Sequence, residues 1–381
     1  MSHAPADALE RRQQTIRTAL AEQKLDALVV TSLPNVLYLT NFTGTSAIVI
    51  LTADRLVCLT DSRYVTEIER LQREFPALEL ARVDGAYDVT LVERLRALDI
   101  GRVGFEAAHL TVARHTWLTT TLEQSSSGGA VTLVATDGVI ERARVRKDSY
   151  EIESLREAGR RLSAVAAAVL ADVRAGKTER EMALAIDWRI RQGGFSRTAF
   201  ETIVASGPNA ALPHAHPGER MLSEGDLVVL DFGGVYASYC VDLTRTVSIG
   251  PATARAREVY SAVLEAHDRA IAAVRPGVSR FDIDAAARDT LGRHGLSEAF
   301  GHGTGHGLGI EVHEDPRISK RRPAAADVET RDEAVTPGMV FTIEPGAYLP
   351  DWGGVRIEDD VLVTADGVEV LTGVTTELLE R

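Results

Sequence analysis

Cysteine is almost absent from this chain. Cys58 and Cys240 are the only two in 381 residues, too few for a disulfide framework. A basic excess is missing too: 42 Lys and Arg stand against 55 Asp and Glu, a formal net charge of −13. That balance excludes the electrostatic footprint of a nucleic-acid binder and suits a chain that repels polyanions. No stretch approaches the roughly 20 consecutive apolar residues of a membrane span. The opening MSHAPADALERRQQ is polar and lacks the apolar core of a signal peptide, so a reducing, cytoplasmic location is expected. What is present is ordinary for a globular protein, 45% hydrophobic and 25% charged residues, at a length that accommodates two domains.

From residue 9 to about 135, helix and strand signals alternate. Helical spacing covers 9–23, an apolar strand 27–31, and Pro34 fits the first turn of another helix. Two β-rich runs, 46–51 and 55–60, are separated by Thr52-Ala53-Asp54, a hairpin signal. A charged helix is expected from Asp61-Ser62 to about Gln72, then strands near 78–83, 102–105 and 131–134. The SSSGG run at 125–129 reads as a flexible loop inside this α/β domain, which shows no cofactor motif. Charged, core-poor residues at 139–149 mark the boundary, giving domains at 1–140 and 148–381.

In the second domain a cap at Asp148 or Ser149 opens a helix to about Arg174, with an Ala-rich face at 162–171. Thr178 and Glu181 form a capping-box pattern for a second helix, 178–192. A strand is expected near 200–206, and two more helices at 255–273 and 279–294. Residues 225–245, GDLVVLDFGGVYASYCVDLTR, read as a hairpin. A turn centred on Tyr236-Ala237 puts Asp231 directly opposite Asp242. Like charges so opposed repel, and the pair calls for a cation between its members or one raised pKa. Residues 340–363 repeat the arrangement, with a turn at Asp351-Trp352 placing Glu344 opposite Glu358. Between the hairpins, GHGTGHGLGIEVHE supplies His302, His306 and His313. Four carboxylates and an imidazole make an oxygen-rich set suited to two divalent ions.

This pattern resembles the pita-bread metallopeptidases: prolidase, aminopeptidase P and methionine aminopeptidase. The resemblance is dense in the second domain, and the NVLYLTNFTG and LTDSRY runs resemble the N-terminal domain of aminopeptidase P-like enzymes. It implies a creatinase-like α/β N-terminal domain joined to an α+β pita-bread catalytic domain. Asp231, Asp242 in DLTRT, His306 in HGTGHGLG, Glu344 in EPG and Glu358 in RIEDD match the family's metal ligands. The implied cofactor is a pair of divalent ions, manganese first, with cobalt or zinc as alternatives. The implied substrates are short proline-containing peptides, and the implied assembly is a homodimer.

Around that set, His214 in the ALPH context matches a family histidine close to the metals, and His313 one that contacts substrate. His302, four residues before His306, is a weaker candidate behind the ligands. Arg356 shares a strand face with Glu358 and reads as an ion-pair partner of the acids. Tyr348 is either core or a hydrogen-bond donor to the site. His216 reads as a surface residue, and His3, His109, His115, His267 and His294 as structural. Asp359 alternates to the opposite face, and both it and Asp360 are left out of the site. GHGTGHGLG lacks the Lys and Ser/Thr of a phosphate loop; its glycines suggest close backbone approach to a metal centre and substrate. Residues 319–335 read as a polar loop at the rim.

The expected chemistry is hydrolysis by a hydroxide bridging the two metals. Glu344 would pass its proton to the leaving nitrogen, while His214 and His313 steady the oxyanion and Arg356 supports the acids. Cleavage of the Xaa-Pro bond in the manner of aminopeptidase P is the reading, with a prolidase confined to dipeptides as its alternative. A metal-free enzyme of the creatinase type, or a binding protein that has lost catalysis, is the remoter one. Such relatives lose ligands, and all five are kept here.

Overall fold

The computed structural model describes residues 3–124, 131–321 and 334–381. The expectation for 125–129, and most of that for 319–335, lies outside the described residues. The chain divides into two compact units, Met1–Arg144 and Val145–Arg381.

The first unit runs α1 (Ala6–Glu22), β1 (Ala27–Val30), α2 (Leu33–Thr40), β2 (Ile48–Thr52), β3 (Leu56–Asp61), α3 (Val65–Glu74), β4 (Leu78–Val83), α4 (Tyr87–Ala97), β5 (Arg102–Glu106), α5 (Val112–Glu123), β6 (Thr132–Thr136) and α6 (Val139–Arg144). Its strands form one sheet in the order β4-β3-β2-β1-β5-β6. β1 and β2 are buried along their whole length, as continuous apolar runs covered on both faces should be. The boundary segment departs from expectation. It coils into α6, burying Val139, Ile140 and Arg144, because the Arg144 guanidinium finds a buried partner, donating to Asn35 Oδ1 at 2.7 Å.

The second unit opens with α7 (Ser149–Asp172) and α8 (Glu179–Gln192), each entered through a complete capping box, Asp148/Glu151 and Thr178/Glu181. Then come β7 (Arg197–Thr198), β8 (Ile203–Ser206), β9 (Leu227–Tyr236) and β10 (Tyr239–Ser248). A second helix pair, α9 (Ala254–Ala273) and α10 (Arg280–Arg293), follows. The chain closes with β11 (Gly305–Gly307), β12 (Glu314–Ile318), β13 (Val340–Ile343), β14 (Gly346–Leu349), β15 (Gly353–Arg356), β16 (Asp359–Val363), β17 (Val368–Val370) and β18 (Leu379–Glu380). Helix pair and sheet thus occur twice, as pita-bread architecture requires. One sheet runs β18-β10-β9-β7 with β8 also on β9; another runs β12-β11-β13-β16-β17; β14 and β15 pair separately.

Both acidic hairpins form, with corrections. The first turns on Ala237-Ser238, both at positive φ (47° and 72°), not on Tyr236-Ala237. A two-residue turn that matches strand twist needs positive φ at both centres, which a bulky Tyr resists more than Ala or Ser. Asp231 therefore pairs with Thr244, and Asp242 with Gly233. The slip is an even number, so both aspartates stay on one face, as diagonal neighbours. In the second hairpin the turn falls at Asp351, as the sequence suggests, but the ladder breaks midway. β13 pairs β16 through Ile343 and Asp359, while β14 pairs β15 through Gly346 and Arg356. Glu344 and Glu358 face each other in the gap, where Pro345 has no N–H to offer.

The glycines flanking His306 also serve differently from expectation. A Cβ on Gly305 would sit 1.8 Å from the Thr342 carbonyl oxygen, and one on Gly307 2.2 Å from that of Asp315. They admit neighbouring backbone rather than metal or substrate. Gly305→Ala must push β11 away from β13, and overpacking of this kind costs about 1–3 kcal/mol. Urea denaturation should show that loss; wild-type stability would mean the strands part freely.

Candidate metal centre

β10 is the strand from which the site is built. Thr244 on it pairs with Asp231 on one side and bridges Glu358 on the other. Its hydroxyl donates to Glu358 Oε2 at 2.6 Å and accepts from Arg356 Nε at 3.2 Å. The backbone amides of Glu344 and Glu358, freed by the broken ladder, bond outward to the carbonyls of Thr304 and Thr244. With their main-chain groups satisfied elsewhere, both side chains can turn into one cavity. Next along β10, Arg245 is buried and grips the strand carrying Glu358. Its guanidinium donates to the Glu358 carbonyl at 2.6 Å and to Asp359 Oδ1 at 2.8 Å.

The result is a cavity of about 830 Å³ lined by Asp231, Asp242, His306, Glu344 and Glu358. One ligand-type atom each from Asp242, His306 and Glu358 lies within 4.8 Å of the others. His306 Nε2 stands 3.5 Å from Glu344 Oε1 and 4.0 Å from Asp242 Oδ2. Asp231 Oδ2 accepts from Arg356 at 2.5 Å. Asp231 Oδ1 and Asp242 Oδ1 are buried with no hydrogen-bond partner among the described residues. Burial and then the neighbouring acids Glu358 and Asp231 push the Asp242 carboxyl well above the carboxylate range. Glu358 rises through burial and then Glu344. Burial lifts Glu344 to about 7, against the opposing pull of Arg356. Burial, followed by His313, lowers His306 to about 3, so its imidazole is neutral. Orphaned oxygens, neutral imidazole and crowded acids are what a divalent-cation site looks like without its charge. These five side chains fit such ions.

The other candidates divide. His214 and His313 line the same cavity, His313 edge-on to His306 with ring centroids 4.3 Å apart. His302 and Tyr348 belong to one relay. His302 Nδ1 lies 2.8 Å from the Gly303 carbonyl, which can only accept, so Nε2 accepts from Tyr348 Oη, also at 2.8 Å. Tyr348 Oη in turn accepts from Arg356 at 2.9 Å. Tyr348 is thus both core and donor, and what it donates to is His302. His216 stands exposed on the cavity rim, 3.1 Å from Glu201. Asp360 Oδ2 accepts from the Asp242 amide at 2.9 Å and Asp359 pairs with Arg245, so both are engaged behind the site, although Asp360 Oδ1 is also buried with no hydrogen-bond partner among the described residues. Sequence reasoning missed Thr244 and Arg245, although an Arg and a Thr inside a strand of apolar neighbours signal buried partners. It also missed Arg280, Arg317 and Lys320, which line the cavity.

Comparison with known proteins places relatives along nearly the whole chain. Residues 153–365 match metallopeptidase family M24, and residues 12–146 match the creatinase/prolidase N-terminal domain. A Xaa-Pro dipeptidase of Pyrococcus furiosus is 41% identical over 64% of this chain and 67% of its own. Among solved structures, a Xaa-Pro dipeptidase from Bacillus anthracis superposes with a TM-score of 0.90 at 34% identity, over 98% of this chain and all of that one. An X-Pro aminopeptidase from Thermotoga maritima gives 0.86 at 31%, over 97% of this chain and 99% of that one.

The crowded acids predict a pH signature for metal-free protein. A carboxyl whose folded pKa is raised stabilises the fold at low pH, and that contribution is lost as pH rises through the folded value. For Glu344 the window runs from its ordinary 4.5 to about 7, with about 1–3 kcal/mol at stake after allowing for the open cavity. Chelator-treated protein should therefore melt lower at pH 8 than at pH 5.5. Glu344→Gln should flatten the fall, and divalent ions should stabilise most at the upper end. A flat profile in metal-free wild type would contradict the crowding.

Proposed function

The chain belongs to metallopeptidase family M24, with a creatinase/prolidase N-terminal domain, and on that premise we propose a proline-specific exopeptidase with two metal ions. The reading rests on one observation: buried acids converge on His306, with Asp231 Oδ1 and Asp242 Oδ1 unpartnered. Asp231, Asp242, His306, Glu344 and Glu358 would hold two divalent ions. Manganese is the first candidate and cobalt or zinc the alternatives, since the set is carboxylate-rich and has no thiolate. When bound, such ions activate water and polarise a peptide carbonyl.

The chain's own groups do the rest. Glu344 faces the cavity beside His306 and is placed to take a proton and return it to the leaving nitrogen. Burial lowers His313, so a neutral imidazole N–H is available to a carbonyl oxygen gaining charge. His214 faces the same space and would serve alike. Arg356, fixed between Asp231 and Tyr348, orients Asp231, and His302 fixes Tyr348 from behind. Phe200, Ile203, Phe281 and Val312 supply apolar cavity wall. A proline ring fits such a wall without leaving an N–H unpaired.

Arg280, Arg317 and Lys320 line the same cavity and would attract a nearby terminal carboxylate, which favours dipeptides. The aminopeptidase P reading, with longer peptides admitted, is supported by the likeness to the Thermotoga enzyme. A homodimer completes the proposal on family likeness alone, and the scarcity of cysteine suits a reducing, cytoplasmic location.

Asp242→Asn should lose at least one bound ion by elemental analysis, with most of the activity on Ala-Pro. Full metal content and activity in that variant would remove Asp242 from the set. Ala-Pro should be cleaved at least tenfold faster than Ala-Ala, about 1.4 kcal/mol in transition-state binding, and faster than Ala-Pro-Ala. Equal rates on Ala-Pro and Ala-Ala would remove the proline preference. A faster tripeptide would hand the chain to the aminopeptidase P reading.

A further inference from the structure

Glu179 begins α8 and is fully buried, yet its carboxylate serves another segment. Oε1 accepts from the Ser206 amide at 2.8 Å, the Ser206 hydroxyl at 2.7 Å and Asn209 Nδ2 at 3.0 Å. Oε2 accepts from the Gly218 amide at 3.2 Å and again from Asn209 Nδ2, at 3.2 Å. Ser206 and Gly218 are the two ends of the loop that carries His214. The cavity-lining residues Pro213, His214, Ala215 and His216 all lie between them. One buried side chain therefore closes that loop at both feet.

The clamp is reinforced from either side. The Ser206 hydroxyl, donating to Glu179, accepts from Arg220 at 2.6 Å, and Arg220 is paired with Asp226, just before β9. Opposite, the loop rests on β15: a Cβ on Gly354 would lie 2.1 Å from the Ala210 carbonyl oxygen. Residue 356 of that strand reaches back, Arg356 Nη1 standing 3.4 Å from the Pro213 carbonyl. Loop position is thus fixed between a buried carboxylate and the strand that orients Asp231.

From this geometry we infer that Glu179 is a positioning residue, setting His214 over the reaction centre through the loop it closes; the inference rests on the role proposed above for His214. The clamp demands a carboxylate. Two of the donors are backbone amides of fixed polarity, so an amide at position 179 would turn its NH₂ toward at least one donor and leave it unpaired.

The test is a double-mutant cycle on metal-loaded enzyme with Ala-Pro as substrate. Glu179→Gln should lower kcat/KM at least tenfold with metal content unchanged. His214→Ala should lower it by around 10²–10³. In the His214→Ala background, Glu179→Gln should have little further effect, since residues acting through one another are not additive. A purely structural role would lower the melting temperature and leave that coupling absent. Asn209→Ala, a milder cut at the same clamp, should show the same coupling at smaller size if Glu179→Gln does not fold. Wild-type kinetics in folded Glu179→Gln, or its full effect persisting without His214, overturns the inference while leaving the catalytic reading intact. Wild-type kinetics in His214→Ala overturns the role proposed for His214, and the positioning argument with it.

Discussion

Four carboxyl side chains converge on the His306 imidazole in one cavity, and repulsion among them governs how the second unit must be built. Each acid is shifted or orphaned by its neighbours, so the arrangement is costly unless a cation enters. A chain left to itself would let such side chains swing out to water. Here they are prevented by a rigid frame: Arg245 locked to Asp359 and to the Glu358 carbonyl, and Thr244 bonded to Glu358 and Arg356. Buried pairs like Arg245–Asp359 are weak evidence for stability. Their value here is that they hold two strands from different sheets at one separation.

The break in the second hairpin follows from the same need. In a continuous ladder the Glu344 and Glu358 amides would bond each other's strand, and their side chains would stand where the pleat puts them. The interruption at Pro345 sends those amides to Thr304 and Thr244. No buried N–H is abandoned, and the two glutamates converge instead of standing side by side. The glycines around His306 complete the frame, letting β11 press against the Thr342 carbonyl so that the imidazole reaches the same point.

Much of this was legible in the chain. Apolar runs ending in acids marked the strands, Asp351 marked a turn, and capping boxes marked the starts of α7 and α8. The convergence of Asp231 and Asp242 was readable because both sit within strands, where period two fixes which face they occupy, whereas Glu344 and Glu358 fall in the gap between β13/β16 and β14/β15. What escaped were partners supplied by distant segments. The register of the first hairpin depended on whether Tyr236 or Ser238 takes positive φ, a choice that spacing leaves open. Arg245 drew no reading from spacing, because its partners, Asp359 and the backbone of 374–375, come from distant segments. Glu179 is an acid in a first helical turn, where the helix dipole suits it, and nothing local says that its acceptors are spent on Ser206 and Gly218.

The bond polarity around the acids shows why these particular atoms are left over. Gly303 offers only a carbonyl, so His302 must donate from Nδ1 and accept at Nε2. Tyr348 must then give its proton to His302, and is left to accept from Arg356. Arg356, a donor at every position, spends Nη2 on Asp231 Oδ2. Asp231 keeps Oδ1 unpartnered, and the relay that fixes the first oxygen also aims the second. His306 is tied in a similar way: Nδ1 lies 3.1 Å from the Gly307 carbonyl, which makes it the donor and leaves the Nε2 lone pair facing Asp242 and Glu344. One atom of each of these two groups is consumed by orientation and the other is held free. That division of atoms leaves Asp231 Oδ1 and His306 Nε2 facing the cavity, an arrangement that a cation held there would complete.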